Sequence, residues 1–369
     1  MKTISVAFCF NDAYCTMASG AISSIIRYAR GQYQYDIYIV EDDISDHNKY
    51  LIKTLIHKDN VDIIFVRVNY EDYIKEDTSY SRHTKYSFIR LVFNKIFPNI
   101  DKILYLDSDL IVTSDIAELF FQDLEGCSVG ACLDGMAQLG SEKLKEISFT
   151  PIQRIGFEQY ENNYDYLYNY LNLNDNYINT YFNAGVLLMD LKKAGMALDM
   201  KVPELIKRRY VFVDQDILNI IFKDDKKILD KKFNVFYTDS LEYINESGTL
   251  PAIIHYNGPI KPTASMTIPM AYRYWEEVAQ TAYYYPAIES FINNKIKHKC
   301  DISKDQYVIE NLFYNLKRFN KIHKRRKLIR LMIRPLVDGK KYKKLKRDPG
   351  RFFADSKNSF IRFLGRYYN

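Results

Sequence analysis

Asp107 and Asp109 flank Ser108 at the end of an apolar run, Ile103-Leu104-Tyr105-Leu106, and a second apolar run, Leu110-Ile111-Val112, follows at once. Ionised carboxylates are costly to bury unless they are paired or bound to a cation, so two of them at the mouth of a strand suggest a cation site. Residues two apart in an extended segment face the same way, which lets both carboxylates reach one ion. Such oxygen ligands suit Mg²⁺ or Mn²⁺, above all when a diphosphate fills the rest of the shell. Taken alone, the triplet reads equally well as loop solvation or helix capping.

Three further segments carry compatible chemistry. His255-Tyr256-Asn257-Gly258-Pro259-Ile260-Lys261-Pro262 offers an imidazole ligand, a glycine allowing close backbone approach and a lysine for phosphate. An imidazole completing a carboxylate pair favours Mn²⁺ over Mg²⁺. Phe182-Asn183-Ala184-Gly185 sets an amide beside a flexible glycine, and Asp214-Gln215-Asp216 puts polar groups at a helix start. Each has a structural reading on its own: His255 as a core histidine, Lys261 as a solvated cation, Asn183 to Gly185 as a turn, Asp214 as an N-cap. All of them together, at the ends of strands and helices, are the mark of a site.

The elements that must position these residues follow from hydrophobic periodicity. Residues 3–10, 35–40, 61–68, 102–106 and 129–133 read as strands, 181–191 as core-like sequence and 252–255 as a short strand. Residues 16–28, 47–57, 86–97 and 214–222 read as helices. Alternation of this kind predicts an α/β fold with a mostly parallel sheet and helices on both faces. Ligands of such sheets bind beyond the carboxyl ends of the strands, where Asn11, Glu41 and Asp107 fall. The Tyr- and Asn-rich stretch 135–179 predicts a long excursion over the site, with Tyr160, Tyr164, Tyr166, Tyr168 and Tyr170 as candidate acceptor contacts or as loop packing.

A chain of 369 residues exceeds the usual single core, so a large domain with an appendage is expected: 1–280 catalytic, 281–369 a helical C-terminal extension. Cys9, Cys15, Cys127, Cys132 and Cys300 form no CxxC pair, which argues against a zinc cluster or disulfide framework and for a reducing cytoplasm. The N-terminal stretch is too short and weakly basic for a signal peptide, and no run of about 18 apolar residues occurs. The net charge of +6 conceals a split. Residues 317–369 carry 19 Lys and Arg against 3 Asp, a net of +16, while 1–316 carry 33 basic and 43 acidic side chains, a net of −10. Leu312, Leu316, Phe319, Ile322, Ile329 and Ile333 recur at helical spacing. Phe353, Phe360, Phe363, Leu364 and Tyr367 do so opposite Arg351, Lys357, Arg362 and Arg366. Basic amphipathic helices bind anionic membrane surfaces, which predicts a peripheral location on the inner face of the cytoplasmic membrane. A solvated helix docked on the core is the alternative.

The order of the segments resembles the retaining glycosyltransferases of family 8, the group of bacterial lipopolysaccharide galactosyl- and glucosyltransferases and of glycogenin. The matching text is Asn11-Asp12-Ala13-Tyr14, Ser87-Phe88-Ile89-Arg90-Leu91, Leu104 to Asp109, Gly130-Ala131-Cys132-Leu133-Asp134, Tyr181 to Leu188, Asp214 to Asn219, and His255-Tyr256-Asn257-Gly258 with Lys261-Pro262. It covers about residues 3–280. The resemblance implies a nucleotide-binding, doubly wound sheet of the glycosyltransferase A type and transfer of a hexose, galactose or glucose, from a UDP-sugar to a surface-glycan acceptor with retained configuration. It implies Asp107, Asp109 and His255 as Mn²⁺ ligands, with Mg²⁺ as the alternative ion. It puts Asn11, Asp12, Tyr14 and Ser108 at the nucleotide and Gly258 and Lys261 at the phosphates. Arg90, Asp134, Asn183, Gly185, Asp214 and Gln215 would surround the donor sugar, with Asp214 and Gln215 nearest the chemistry. Family members usually read Asp-Asp-Asn-Tyr where this chain has Asn11-Asp12-Ala13-Tyr14. The family's first Asp accepts from uracil, a contact that Asn11 could make only through its amide oxygen and more weakly than a carboxylate, and Ala13 lacks the polar contact expected at the ribose. Lys346 to Ser356 resembles C-terminal extensions of bacterial capsule and surface-polysaccharide enzymes, which implies a lipid-linked acceptor.

Two rival functions use the same features. Haloacid-dehalogenase phosphohydrolases also carry Asp-x-Asp after an apolar strand, though near the N-terminus and followed by Gly-Thr, unlike Leu110-Ile111 here. A nucleic-acid-binding protein could use the basic tail, but no nucleic-acid partner is expected.

Overall fold

The structure, a computed structural model, describes residues 1–74, 85–150, 156–297, 330, 339–356 and 362. The chain forms two compact units, Met1–His255 and Tyr256–Asn369.

In the first unit the strands are β1 (Lys2–Cys9), β2 (Tyr33–Glu41), β3 (Val61–Arg67), β4 (Lys102–Leu106), β5 (Leu110–Val112), β6 (Val129–Leu133), β7 (Phe182–Asp190), β8 (Lys226–Ile228), β9 (Val235–Phe236) and β10 (Ile253–His255). Seven of them form one sheet in the order β3-β2-β1-β4-β7-β6-β8. β1, β2, β3 and β4 run parallel, as does the β6–β8 pair. β7 runs antiparallel to both β4 and β6. The expected α/β sheet is therefore present with one central strand reversed. The excursion explains the reversal: it leaves from Asp134 and returns at Tyr181 at the same end of the strands, where Asp134 N donates to Tyr181 O at 3.0 Å. A chain that re-enters the sheet at the end it left, beside the strand it left, must run backwards.

β7 is buried on both faces from Phe182 to Met189, as a central strand covered by helices requires. On one side lie the helix Leu191–Leu205 and the packed aromatics of the excursion. Elsewhere in the unit, the helix Cys15–Tyr28 buries Met17, Ala18, Ala21, Ile22, Ile25 and Ile26. A second, three-stranded sheet, β5-β10-β9, carries β10 antiparallel to β5, with His255 opposite Leu110.

The stretch 86–97, expected as one helix, is three short pieces: Lys85–Phe88 and Phe93–Ile96 are α-helical and Ile89–Val92 is a 3-10 turn. β-Branched Ile89 and Val92 disfavour an unbroken α-helix, and Arg90 in the tight turn is buried. The excursion also differs from a featureless loop. Its described residues contain four short α-helices and a π-turn, Tyr166–Tyr170.

In the second unit, Ala271–Val278 and Tyr284–Lys297 are helices, with Tyr274 and Trp275 almost fully buried. Gly339–Arg347 and Pro349–Ala354 are a basic helix and a short partner. Leu345, Phe352 and Phe353 are buried, so Phe353, expected on an open apolar face, is packed inside the protein. Leu312, Leu316, Phe319, Ile322, Ile329, Ile333, Phe360, Phe363, Leu364 and Tyr367 lie outside the described residues. No helix among the described residues is long and apolar enough to cross a membrane.

Candidate active site

β4 ends at Leu106, and Asp107 leaves it with its backbone N–H still bound to Gly185 O across the sheet at 2.8 Å. The carboxylate is held on one side only. Tyr105 Oη donates to Asp107 Oδ1 at 2.5 Å and Arg90 Nη2 does so at 3.1 Å. That leaves Oδ2 facing His255, whose Nε2 lies 3.7 Å away. Asp109 Oδ1 lies 3.4 Å from the same nitrogen. One ligand atom from each of the three residues falls within 4.8 Å of the others.

This cluster fits a divalent cation on two grounds. Two hard carboxylate oxygens and one imidazole nitrogen are a donor set for Mn²⁺, and ligands ~2.1 Å from one octahedral ion stand ~3 Å apart. The backbone has also been cleared to bring the ligands together: a Cβ on Gly185 would stand 2.3 Å from His255 Cε1 and 2.8 Å from Asp107 Oδ2. Ser108, between the two acids, is buried with an Oγ that has no hydrogen-bond partner.

Arg90 joins the cluster to a second group. Its Nη1 donates to Ala184 O at 2.5 Å, its guanidinium lies 4.0 Å above the Tyr105 ring, and its Nε lies 3.1 Å from Asp214 Oδ2. Burial disfavours the cation, but Asp214, Tyr105 and Asp107 outweigh burial and hold the Arg90 pKa above its ordinary value. Burial pushes the Asp214 carboxyl up to about 7, with Arg90 pulling the other way. Asp214 Oδ2 is buried and accepts no hydrogen bond, because Arg90 Nε points its proton at Ser87 O.

Asp214 and Gln215 open the helix Asp214–Ile221. The residue before it, Val213, has φ 55° and ψ −120°, and Gln215 N donates to Phe212 O at 3.0 Å. A β-branched residue rarely takes this conformation, and such strain persists only where surrounding structure imposes it. Gln215 is gripped at both ends. Its Oε1 accepts from Ala184 N at 3.0 Å and from Asn183 Nδ2 at 3.1 Å, and its Nε2 donates to Asp134 Oδ2 at 3.3 Å. Both lone pairs of the amide oxygen are thus engaged. Asp134 Oδ2 also accepts from Asn183 Nδ2 at 3.2 Å; burial raises its pKa against these bonds. Asp216 lies behind, taking Tyr181 Oη at 2.6 Å, Tyr166 Oη at 2.7 Å and Phe212 N at 2.8 Å.

The structure thus brings Arg90, Asp107, Asp109, Asp134, Asn183, Gly185, Asp214, Gln215 and His255 together. Tyr14 is 38% exposed, but its hydroxyl is close enough to Asp109 and Asp107 for their charges to add to partial burial in raising the phenol pKa. Asn11 Oδ1 caps the turn Asp12–Tyr14 by accepting from Tyr14 N at 3.1 Å. Asp12 Oδ1 accepts from Ser45 N, Ser45 Oγ and Asn48 Nδ2, each at 2.8 Å, so it braces the helix Asp46–Lys53. Gly258 and Lys261 lie in the second unit; Gly258 has φ +102° and Lys261 Nζ donates to Tyr256 O at 2.8 Å.

Two members were missed from sequence. Tyr105 reads as an apolar strand residue, though its place two before Asp107 puts both on one face. Asn234 stands in Lys232-Phe233-Asn234-Val235, where nothing local separates it from a turn residue.

At 27% identity, the chain matches a Haemophilus influenzae protein assigned as a glycosyltransferase, covering 70% of this chain and 73% of that one. It is 24% identical to the lipopolysaccharide 1,2-glucosyltransferase of Escherichia coli K12, covering 75% and 79%. Among solved structures, the galactosyltransferase LgtC, in complex with donor and acceptor sugar analogues, superposes with a TM-score of 0.56 at 23% identity over 76% of this chain and 96% of that one. The bifunctional WbbM does so at 0.66 and 23% identity over 78% of this chain, which spans about half (52%) of WbbM. These two likenesses show a common fold. The profile described as Glycosyl transferase family 8 matches residues 5–266, and the chain belongs to that family of glycosyltransferases.

Proposed function

We propose that the protein transfers a hexose, galactose or glucose, from a UDP-sugar to a hydroxyl of a lipooligosaccharide, lipopolysaccharide or capsule-type acceptor, with retained anomeric configuration. The observation that carries this reading is the Asp107–Asp109–His255 cluster at the end of β4 within the family match. Asp107, Asp109 and His255 would hold Mn²⁺, with Mg²⁺ as the alternative. Such an ion stabilises the negative charge that develops on the departing diphosphate.

This chain's own residues do the rest. Arg90 and Tyr105 fix Asp107 through Oδ1 and leave Oδ2 turned toward the other ligands. Asp214 offers the buried, unbonded Oδ2 to a sugar hydroxyl and, where ionised, favours positive charge at the anomeric carbon. Asp134, Asn183 and Gln215 brace one another as the wall of the sugar pocket. With both lone pairs of Oε1 engaged, Gln215 is a poor nucleophile. That favours attack of the acceptor hydroxyl on the face the phosphate leaves: the bond from anomeric carbon to phosphate oxygen breaks, that to the acceptor oxygen forms, and the phosphate takes the acceptor proton. Asn11, Asp12, Tyr14 and Ser108 are proposed at the nucleotide, Gly258 and Lys261 at the phosphates.

The E. coli relatives named lipopolysaccharide glucosyltransferases favour a lipid-linked glycan. The basic residues after 317 favour an anionic membrane surface at the cytoplasmic face, with 281–369 as the membrane-associating extension of a catalytic part in 1–280. Four free cysteines among the described residues, Cys9, Cys15, Cys127 and Cys132, are compatible with a reducing compartment. Screening UDP-sugars for UDP release with Mn²⁺, then with excess chelator, tests the reading. Asp107→Asn and Asp109→Asn are each expected to abolish release while the fold survives. Undiminished turnover in chelator would overturn the cation requirement.

A further inference from the structure

Asn234 lies between the turn Lys231–Phe233 and β9 and is 1% exposed. Its Nδ2 donates to Asn183 Oδ1 at 2.9 Å, and its Oδ1 lies 2.9 Å from His255 Nδ1. The identity of every atom in this line follows from one backbone amide. Gly185 N–H points at Asn183 Oδ1 at 3.0 Å, and a backbone N–H can only donate, so that atom of Asn183 is its oxygen. An oxygen cannot donate in turn, so the amino group of Asn234 must face it and the carbonyl of Asn234 must face His255. The ring nitrogen opposite a carbonyl carries a proton. Nδ1 is therefore the protonated nitrogen, and the neutral ring keeps its lone pair on Nε2, the atom turned toward Asp107 and Asp109.

We propose that Asn234 is a positioning residue that locks His255 in the Nδ1–H form, so that Nε2 is presented without a proton to a divalent cation. Through Asn183 the same side chain ties that ligand to the wall of the sugar pocket. The proposal rests on the reading of Asp107, Asp109 and His255 as cation ligands. Ligand-orienting contacts of this kind are worth roughly 10- to 100-fold in metal affinity.

The test uses the full chain labelled with nitrogen-15 histidine, metal-free and at mildly alkaline pH, with the His255 signals assigned by His255→Gln. The wild type is expected to show the proton on Nδ1. Asn234→Leu, which can neither accept nor donate, is expected to shift the ring toward the Nε2–H form. It should also weaken Mn²⁺ binding, measured by titration calorimetry, by roughly 10- to 100-fold. Asn234→Asp keeps an acceptor at Nδ1 but loses the donor to Asn183. It is expected to hold the tautomer and Mn²⁺ affinity within a few-fold of wild type while raising the KM for the sugar donor. A wild-type ring protonated on Nε2, or an Asn234→Leu protein with unchanged tautomer and Mn²⁺ affinity, overturns the proposal. If Asn234→Leu fails to fold, Asn234→Asp decides: an Nε2–H ring or an unchanged donor KM overturns it. Failure of the wild type to bind Mn²⁺ would instead sink the cation reading, and the tautomer would still report on Asn234.

Discussion

Gly185 shows how closely the site is built around its ligands. Its backbone supplies the acceptor for Asp107 N and the donor for Asn183 Oδ1, and its missing side chain leaves room for the His255 ring. Gly185→Ala puts a methyl group 2.3 Å from His255 Cε1, so the imidazole must swing away from the two carboxylates. Mn²⁺ binding by the folded variant is expected to weaken at least tenfold, about 1.4 kcal/mol. Titration calorimetry beside a circular dichroism spectrum separates this from unfolding, and unaltered affinity would show that the triad tolerates displacement. Gln215 calls for a different measurement. Its side chain holds Asn183, Asp134 and the backbone of β7, so Gln215→Ala is expected to lower turnover at least roughly tenfold. UDP affinity should change far less. Wild-type turnover with poor UDP affinity would put Gln215 elsewhere in the reaction.

At the scale of elements, the excursion and the helix Asp214–Ile221 are joined by Asp216. Burial holds its carboxyl up at about 6, although the Tyr181 and Tyr166 hydroxyls and Phe212 N favour the anion. An Asp in the unfolded chain titrates near ~3.9, so the folded state keeps this proton to higher pH. The resulting stability is complete below the unfolded value and is lost as pH rises through about 6. Asp216→Asn should remove that loss, so urea midpoints of wild type and variant are expected to diverge between about pH 4 and pH 7, the wild type falling relative to the variant. Above about pH 6, where Asp216 is ionised, Tyr181→Phe removes one charge-assisted bond and is expected to cost about 1.5–3 kcal/mol in the same assay. The excursion's tyrosines divide accordingly. Tyr166 is buried against Asp216, whereas Tyr168 is exposed and stacks on Tyr164 with ring centroids 5.5 Å apart. Alanine at Tyr168 is expected to weaken transfer to acceptor more than donor hydrolysis, and alanine at Tyr166 to lower stability.

Much of this architecture was legible beforehand because it rests on local pattern. Apolar runs marked β1 to β4, and the acidic pair between two such runs marked Asp107 and Asp109, although these lie in the bend between β4 and β5 and not on one face of an extended strand. The reversal of β7 was not legible, since a doubly buried strand reads alike in either direction. Nor was Asn234, whose role lies in two partners distant in sequence, His255 and Asn183.

At the scale of the molecule, charge is divided between a net −10 over 1–316 and +16 over 317–369. Deleting 317–369 is expected to release the protein from anionic liposomes at low salt and to leave donor hydrolysis nearly unchanged where the fold survives. Because Leu345, Phe352 and Phe353 are buried, a thermal melt accompanies the assay, and unfolding of the truncated protein would make the tail part of the core and overturn the membrane reading. In the described part of the tail, Lys340, Lys341, Lys343, Lys344, Lys346 and Arg347 are exposed while Leu345, Phe352 and Phe353 are buried. Binding should therefore depend chiefly on the cations and fall steeply with salt. Full-length protein that ignores such liposomes at low salt would remove the membrane reading.

The place of β10 also sets an order on synthesis. His255 is the last residue of the first unit, and β10 covers β5 by antiparallel pairing. As the chain leaves the ribosome, both carboxylates emerge long before the imidazole that completes the cluster. Until β10 arrives, the apolar strand Leu110–Val112 lacks its cover, and an open strand edge invites pairing with other chains. Nascent chains stalled before residue 253 should therefore aggregate through β5, and capture of a cation should mark the moment the first unit is complete.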